Sequence, residues 1–418
     1  MGAAIILADD FTGAGDSGVH FARAGGRTAL LLDLNGLEHE LLRHEVLSLS
    51  SESRFLSQGE AADTVRGLAA RCVALGADIV FKKVDSTLRG NLGAEIEAVL
   101  AVTGLPAALV CTAIPKNGRV CLNGHLLVNG VPLHETEIGR DPFNPVPTSV
   151  VADVIAGQTR LATGTLDVAA VRSGPGSLRE TVLRMLRDGS RIIVADAETD
   201  MDLAALGNLL RASRQGAYGM LPLLAVGAGG LAEAYTGAAG TAPPAPDGRL
   251  LAVVGSLSGV SREQADIAAD SGIFYPLLLD MSADPVAECA RLAQEAARAG
   301  EKHLLLRAKD GTGYSRPTAE QGTRAAVLFG LAARAVCEAS PCDALFATGG
   351  STAVAVAASF GISAIRLEAE CLPGIVLGSC ASESGIRWFV SKAGAFGPPQ
   401  TLRTVGEQFA RLGKRSSA

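Results

Sequence analysis

Ile5-Ile6-Leu7-Ala8-Asp9-Asp10-Phe11-Thr12-Gly13-Ala14-Gly15-Asp16 runs from an unbroken apolar segment into three carboxylates and two glycines. A short, continuous apolar run is what a strand buried on both faces of a parallel sheet requires. The polar part reads as the loop leaving that strand, with Asp16 as the cap of a following helix. Val19, Phe21 and Ala22 lie on the apolar side of this helix, which stops at Gly25-Gly26. A second strand from Thr28 to Leu32 then closes a βαβ unit. Ligands of open parallel sheets gather at the carboxyl ends of the strands, so the loop is a candidate site and its acidity bears on what binds there.

Gly13, Gly15 and Gly18 also satisfy G-x-G-x-x-G, and Asp33 stands twenty residues beyond Gly13, where a dinucleotide fingerprint places its ribose carboxylate. An NAD-dependent oxidoreductase is the alternative this pattern raises. The charges oppose it. A pyrophosphate at a helix N-terminus needs bare amides in a positive field, whereas Asp9, Asp10 and Asp16 would crowd it with negative charge.

The chain has 418 residues, enough for two domains that each bury a core. Hydrophobic residues reach 48% while aromatics are only 4%, a balance that suits α/β layers packed with small and aliphatic side chains. A net charge of −6 leaves no basic footprint for nucleic acid. No apolar run has membrane-spanning length, and the first strand begins with no basic segment and signal core before it. A cytoplasmic location is the expectation. The eight cysteines form no C-x-x-C pair, and Cys72, Cys111 and Cys337 read as small core residues. The six histidines show no ligand spacing on one helix, so no structural zinc is expected and no metal ligands are assigned.

Thr236-Gly-Ala-Ala-Gly-Thr-Ala-Pro-Pro-Ala-Pro-Asp-Gly248 is a linker by composition. It divides residues 1–235 from residues 249–418, and both parts alternate short apolar runs with helical patterns, as layered α/β domains do. Strands are expected near 4–8, 28–33, 46–50, 78–84, 107–112, 191–195 and 223–227, and then near 250–255, 274–279, 303–307, 344–348, 363–367 and 387–391. The segment from Val120 to Pro147, with Asn129-Gly130 as a hairpin signal, is an excursion able to cover a site.

A second constellation, Lys82-Lys83-Val84-Asp85-Ser86-Thr87-Leu88-Arg89-Gly90-Asn91, follows the strand Asp78 to Phe81 and precedes a helix with Leu92, Ile96, Val99 and Leu100 on one face. Cations that fix an acid, beside Asp, Ser and Asn that hydrogen-bond hydroxyls, suit a polyol bearing a carboxylate. Ser53-Arg54 extends the same rim. In the second half, the Thr348-Gly349-Gly350-Ser351-Thr352 turn opens a helix with amides and hydroxyls and no carboxylate, which suits phosphate. Val254-Gly255-Ser256-Leu257-Ser258 repeats the arrangement, and Lys392-Ala-Gly394-Ala-Phe396-Gly397 sets a lysine beside glycines. Three such turns in one domain favour a nucleotide site, and none is a Walker A motif.

Taken in order, Asp9-Asp10-x-Thr12-Gly13-Ala14-x-Asp16, Lys83-x-Asp85-Ser86-Thr87-Leu88-Arg89-Gly90-Asn91, Pro115-x-x-Gly118-Arg119, Asp141-Pro142, Gly227-x-Gly229-Gly230-Leu231-Ala232-Glu233, the Thr348-Gly-Gly turn and Lys392-x-Gly394-x-Phe396-Gly397 resemble the four-carbon acid sugar kinases over nearly the whole chain. The resemblance implies an amino-terminal substrate domain, a carboxy-terminal ATP domain, a cleft between them, and transfer of the γ-phosphate to the terminal hydroxyl of an aldonate such as threonate or erythronate. On that reading Lys83 and Arg89 clamp the substrate and Arg54 helps with its carboxylate, with Asp9, Ser86 and Asn91 completing the pocket. Asp10 or Asp16 orients the hydroxyl and accepts its proton, with Asp85 in reserve. Gly255, Ser256, Gly349, Gly350, Ser351, Thr352 and Gly394 seat ATP, Lys392 faces phosphate, and Mg2+ accompanies the nucleotide. Two positions depart from the family pattern: Ser351 stands where an acidic residue is usual, and Ala395 where a glycine is. Ser351 raises the further alternative of a non-catalytic sugar-acid-binding relative. A homodimer is the base-rate expectation for assembly.

Overall fold

The computed structural model describes residues 2–140, 144–237, 246–310, 318–394 and 396–413. Asp141-Pro142, Ala395 and most of the 236–248 linker lie outside the described residues. The strands, in chain order, are β1 (Ala4–Ala8), β2 (Thr28–Leu31), β3 (Val46–Ser50), β4 (Asp78–Lys83), β5 (Ala108–Cys111), β6 (Arg119–Leu122), β7 (His125–Val128), β8 (Val131–Pro132), β9 (Thr163–Leu166), β10 (Ile192–Ala195), β11 (Leu224–Gly227), β12 (Leu250–Val254), β13 (Phe274–Leu279), β14 (His303–Ala308), β15 (Ala344–Thr348), β16 (Ala364–Leu372), β17 (Ile375–Ser379) and β18 (Trp388–Lys392). The chain divides into two compact units, Met1–Thr28 with Glu38–Thr241, and Ala29–Leu37 with Ala242–Ala418.

In the first unit the strands run in the order β3-β1-β4-β11-β5-β10-β9, every pair parallel. Ile5, Ile6, Leu7 and Ala8 are wholly buried, as a central parallel strand covered on both faces demands. Because all these strands point the same way, the turns after β1, β3, β4 and β11 emerge along one edge. That edge carries the acidic and basic constellations. The excursion forms a separate antiparallel sheet, β6-β7-β8. Its turns are Asn123-Gly124 (φ 53° and 76°) and Asn129-Gly130 (φ 50° and 81°), the paired positive angles that tight hairpins need. The Asp196 carboxylate accepts from the Gly124 amide at 2.9 Å, and Cys121 and Ala197 exchange backbone bonds, which fastens this hairpin to the end of β10.

In the second unit β13-β14-β12-β15-β18 are parallel, followed by the antiparallel β17, β16 and β2. Leu250, Phe274, Phe346, Val390 and Phe409 pack in its core. Cys72, Cys111 and Cys337 are buried and free.

One local expectation needs correction. The first helix spans Phe11–Arg23, so Gly13, Gly15, Asp16 and Gly18 are helical and its cap is Asp10, whose carboxylate accepts from the Gly13 amide at 2.9 Å. Glycine is needed at position 13 because a Cβ there would lie 2.5 Å from Asp10 Oδ1 and 3.0 Å from Lys83 Nζ. The strand expected from Thr28 to Leu32 is present as β2; β1 pairs directly with β3, and β2 pairs antiparallel with β16 through Ala29↔Arg366 and Leu31↔Ala364. Within the span expected near 78–84, β4 runs to Lys83, which places Lys82 and Lys83 on opposite faces of the strand.

Candidate functional site

In the first unit the site is built on Arg54. Its Nε and one terminal nitrogen donate to Asp9 at 2.8 and 3.0 Å, and its two terminal nitrogens donate to Asp10 at 2.9 and 2.8 Å. One guanidinium therefore grips two adjacent carboxylates, the fork geometry that sets arginine apart from lysine. Thr12 Oγ1 donates to Asp10 Oδ2 at 2.7 Å. With Gly13 and Arg54, each Asp10 oxygen receives two donors, the full capacity of a carboxylate. Burial raises the Asp10 carboxyl, but the charges of Arg54 and Lys83 and the Thr12 hydroxyl outweigh it and hold the group below its ordinary value. Burial also opposes charge on Arg54, and Asp10, Asp9 and Asp85 overcome it, keeping the guanidinium firmly protonated.

The turn after β4 adds the second cluster. Arg89 Nε donates to Asp85 Oδ2 at 2.7 Å and Thr87 Oγ1 donates to the same oxygen at 2.6 Å. Burial would raise Asp85, yet Arg89, Arg54 and these bonds carry it well below the usual carboxylate range. Leu88 (φ 61°) and Gly90 (φ 95°) shape this turn, and a non-glycine residue held at such an angle marks a conformation fixed by its surroundings. Lys83 Nζ donates to the Val84 carbonyl at 2.8 Å, one of its three hydrogens. Ser86 Oγ accepts from Arg119, which arrives from β6. Burial lowers Arg119, with Asp85 and Asp16 acting to keep it charged and Arg89 opposing them. Asp16 lies in the first helix near Arg119, and no hydrogen bond reaches its carboxylate among the described residues.

The structure thus gathers Asp9, Asp10, Asp16, Arg54, Lys83, Asp85, Ser86 and Arg89 at one sheet edge. Asn91 serves the scaffold instead. Its Nδ2 donates to the Ser53 and Leu56 carbonyls at 3.1 and 3.0 Å, fixing the loop that bears Arg54. Arg119 stands in the sequence only as the end of the Pro115-x-x-Gly118-Arg119 motif, with no role given to it there. The Pro115–Gly118 turn places it at the start of β6, from which it reaches Ser86.

In the second unit the turns after the adjacent strands β12, β15 and β18 converge. A Cβ on Gly255 would lie 2.2 Å from Thr352 Oγ1, one on Gly394 would lie 2.2 Å from Ser256 Oγ, and one on Gly349 would lie 3.7 Å from Ser256 Cβ. Gly349 (φ 90°) turns the chain into the helix Gly350–Ser359, whose first amides have no side-chain cap. Ser351 is exposed on its first turn and Thr352 is buried. Thr348 Oγ1 is buried without a hydrogen-bond partner at the end of β15. Lys392 is turned inward. Its ammonium donates to the carbonyls of Ala393, Gly394 and Phe396 at 3.0 to 3.1 Å, and burial pushes it down to about 8. It braces the glycine turn from within. Bare amides, small residues and an unsatisfied hydroxyl fit a phosphate chain.

The sugar-binding N-terminal domain family model matches residues 4–235, and the nucleotide-binding C-terminal domain family model matches residues 251–402. A D-threonate kinase of Salmonella typhimurium is 33% identical, covering 95% of this chain and 96% of the relative. A D-erythronate kinase of Heliobacterium modesticaldum is 32% identical, covering 95% and 94%. A 3-oxo-tetronate kinase of Methylobacterium radiotolerans is 30% identical, covering 94% and 95%. A solved structure of a Haemophilus influenzae protein, 19% identical, shares the fold with a TM-score of 0.72 over 97% of this chain and 100% of that one. No helix among the described residues is long and apolar enough to cross a membrane.

Proposed function

The chain belongs to the four-carbon acid sugar kinases, and on that premise we propose that it moves the γ-phosphate of ATP to the terminal hydroxyl of a four-carbon sugar acid such as D-threonate or D-erythronate. The observation that carries the reading is the convergence of carboxylate-free turns at Gly255, Gly349 and Gly394, in a chain whose other unit presents Arg89, Arg119 and Lys83 around acidic and hydroxyl groups. Residues 1–235 bind the acid and residues 249–418 bind ATP.

Arg54 binds Asp9 and Asp10, and Arg89, Arg119 and Lys83, grouped around Ser86 and Asp85, take the substrate carboxylate. Ser86 and Asp85 hydrogen-bond its hydroxyls. Asp10 already accepts as many donors as it can hold, whereas Asp16 has acceptor oxygens to spare. Asp16 therefore takes the proton of the attacking hydroxyl, and the Asp10–Arg54 unit fixes the floor of the pocket. Phosphoryl transfer depends on position and charge neutralisation more than on a strong base, so a well-placed carboxylate suffices. The amides at Gly349 and Gly350 and the hydroxyls of Ser256, Ser351 and Thr352 hold the phosphates, while Lys392 keeps the Gly394 turn in shape. Mg2+ would supply charge neutralisation on the phosphates, with Ser351 offering an oxygen toward its water shell.

A coupled ADP-release screen over threonate, erythronate, their enantiomers and 3-oxo-tetronates tests the proposal. Release that depends on one of these acids is expected, and silence with every acid at high enzyme would reject it. Asp16→Asn should lower kcat by about 100-fold or more with KM for ATP little changed. Unchanged turnover in that variant would remove Asp16 from the role of base.

A further inference from the structure

A buried chain of polar groups stands behind Arg54 and takes no part in the chemistry above. Lys82 and Glu95 are 0% and 1% exposed, and Lys82 Nζ lies 2.6 Å from Glu95 Oε2. Lys82 also donates to the Lys83 carbonyl at 3.0 Å. The other Glu95 oxygen accepts from Ser53 Oγ at 2.7 Å, Ser53 Oγ lies 2.8 Å from Ser51 Oγ, and Ser51 Oγ donates to the Ala8 carbonyl at 2.8 Å. The amides of Ser53 and Arg54 both donate to the Asp9 carbonyl, at 3.1 and 3.3 Å. Thus β4, the helix Leu92–Thr103, the turn after β3 and the end of β1 are joined through one charged pair and two hydroxyls.

A charged pair withdrawn from water seldom stabilises a fold more than a packed apolar pair would, so stability alone is a poor account of its presence. What the pair does fix is orientation. A carboxylate anchored by Lys82 presents its free oxygen to Ser53 in a single direction, and Ser53 immediately precedes Arg54. We propose that Lys82, Glu95 and Ser53 are positioning residues that aim the Arg54 fork so that it engages Asp9 and Asp10 together. The inference rests on the reading of the Asp9–Asp10 loop as part of the acceptor pocket. It adds that the pocket is aligned by a relay reaching into the core of the sheet.

A double-mutant cycle on the full chain tests it. Ser53→Ala removes the hydroxyl with minimal change of volume, and Arg54→Lys keeps the charge while abolishing the fork. Ser53→Ala should lower kcat by about tenfold in the wild-type background, with KM for ATP unchanged and cooperative unfolding retained. In the Arg54→Lys background the same substitution should cost less than about twofold, because a relay acts only through the group it aims. The same factor in both backgrounds would overturn the proposal, as would a kcat unaffected by Ser53→Ala. Glu95→Gln, which leaves the Ser53 contact possible but removes the counter-charge of Lys82, should reproduce the non-additivity; if it does not fold, the Ser53→Ala cycle decides alone. Should no four-carbon acid be phosphorylated at all, the kinase reading fails. Coupling between Ser53 and Arg54 would then still appear in the binding of the acid, so the two failures are separable.

Discussion

Replacing Gly255 by alanine introduces a methyl group whose carbon would lie 2.2 Å from Thr352 Oγ1, 2.8 Å from its Cγ2 and 3.0 Å from its Cβ. Rotating the Thr352 side chain cannot relieve all three contacts, since Cβ itself is too near. The turn after β12 and the helix Gly350–Ser359 must therefore separate by about 1 Å to restore ordinary contact, an overpacking that typically costs about 1–3 kcal/mol. The same separation moves the amides at Gly349 and Gly350 relative to Ser256, and a displacement of that size at a positioning group lowers rates by about 100-fold. Isothermal titration with ATP and, separately, with the sugar acid gives the assay. ATP affinity should fall at least about tenfold, while affinity for the acid stays at the wild-type value. Unaltered ATP binding in a folded Gly255→Ala protein would refute the assignment of these turns to the nucleotide. Equal weakening of both ligands would refute the independence of the two sites.

Lys82→Met leaves the Glu95 carboxylate buried without its counter-charge and should destabilise the chain by about 3–5 kcal/mol in urea denaturation, while Lys82→Met combined with Glu95→Leu should recover most of that loss. Burial lowers Lys392 to about 8, so between pH 8 and the ordinary 10.5 the native chain has released a proton that the unfolded chain still holds, and stability rises with pH across that window. Wild type measured against Lys392→Met should therefore gain stability on raising the pH from 7.5 to 10.5, by up to about 3 kcal/mol; a flat difference would show that the ammonium is not held at a burial penalty. Asp10→Asn should weaken the grip of Arg54 and lower both thermal stability and turnover, which differential scanning calorimetry and the ADP-release assay read together.

Much of the fold is legible because its strands are apolar runs that no helix period explains. β1, β3, β13 and β15 fall where the sequence places them. β9, Thr163-Gly-Thr-Leu166, carries no such signal because it pairs only with β10 at the end of its sheet, where partial exposure tolerates threonine and glycine. β17 does carry an apolar run, Ile375-Val-Leu377 behind the Pro373-Gly374 turn (Gly374 φ 75°), but three residues are too short a run to be told from a loop, and its register with β16 is set by the fold. The first helix begins earlier than its sequence suggests for a different reason. Gly13 and Gly15 read as a loop by propensity, but close packing demands small residues there: Gly13 lies against Lys83, and Asp16 lies against Gly229 across the neighbouring helix start. Tertiary contact overrides local preference.

The candidate site is legible as two groups of chemically suited residues, because charges and glycines concentrated at strand ends are a local signal. Their division of labour is not. Lys82 and Lys83 are adjacent and identical in type, yet one is locked to Glu95 in the core and the other faces the pocket, which only the alternation of β4 decides. Arg54 reads as a substrate ligand in sequence and proves to be held by Asp9 and Asp10. Lys392 reads as a phosphate ligand and proves to bind carbonyls of its own turn. In each instance the partner lies far along the chain or in the backbone, where composition is silent.

Transfer of phosphate to the terminal hydroxyl of a four-carbon acid can be read by phosphorus NMR of the full chain incubated with MgATP and D-threonate or D-erythronate. A new phosphomonoester resonance, coupled to the protons of the terminal carbon and growing in step with ADP, is the expected result. ADP accompanied only by inorganic phosphate, or no acid-dependent change in any phosphorus signal, would show that the chain does not carry out this transfer.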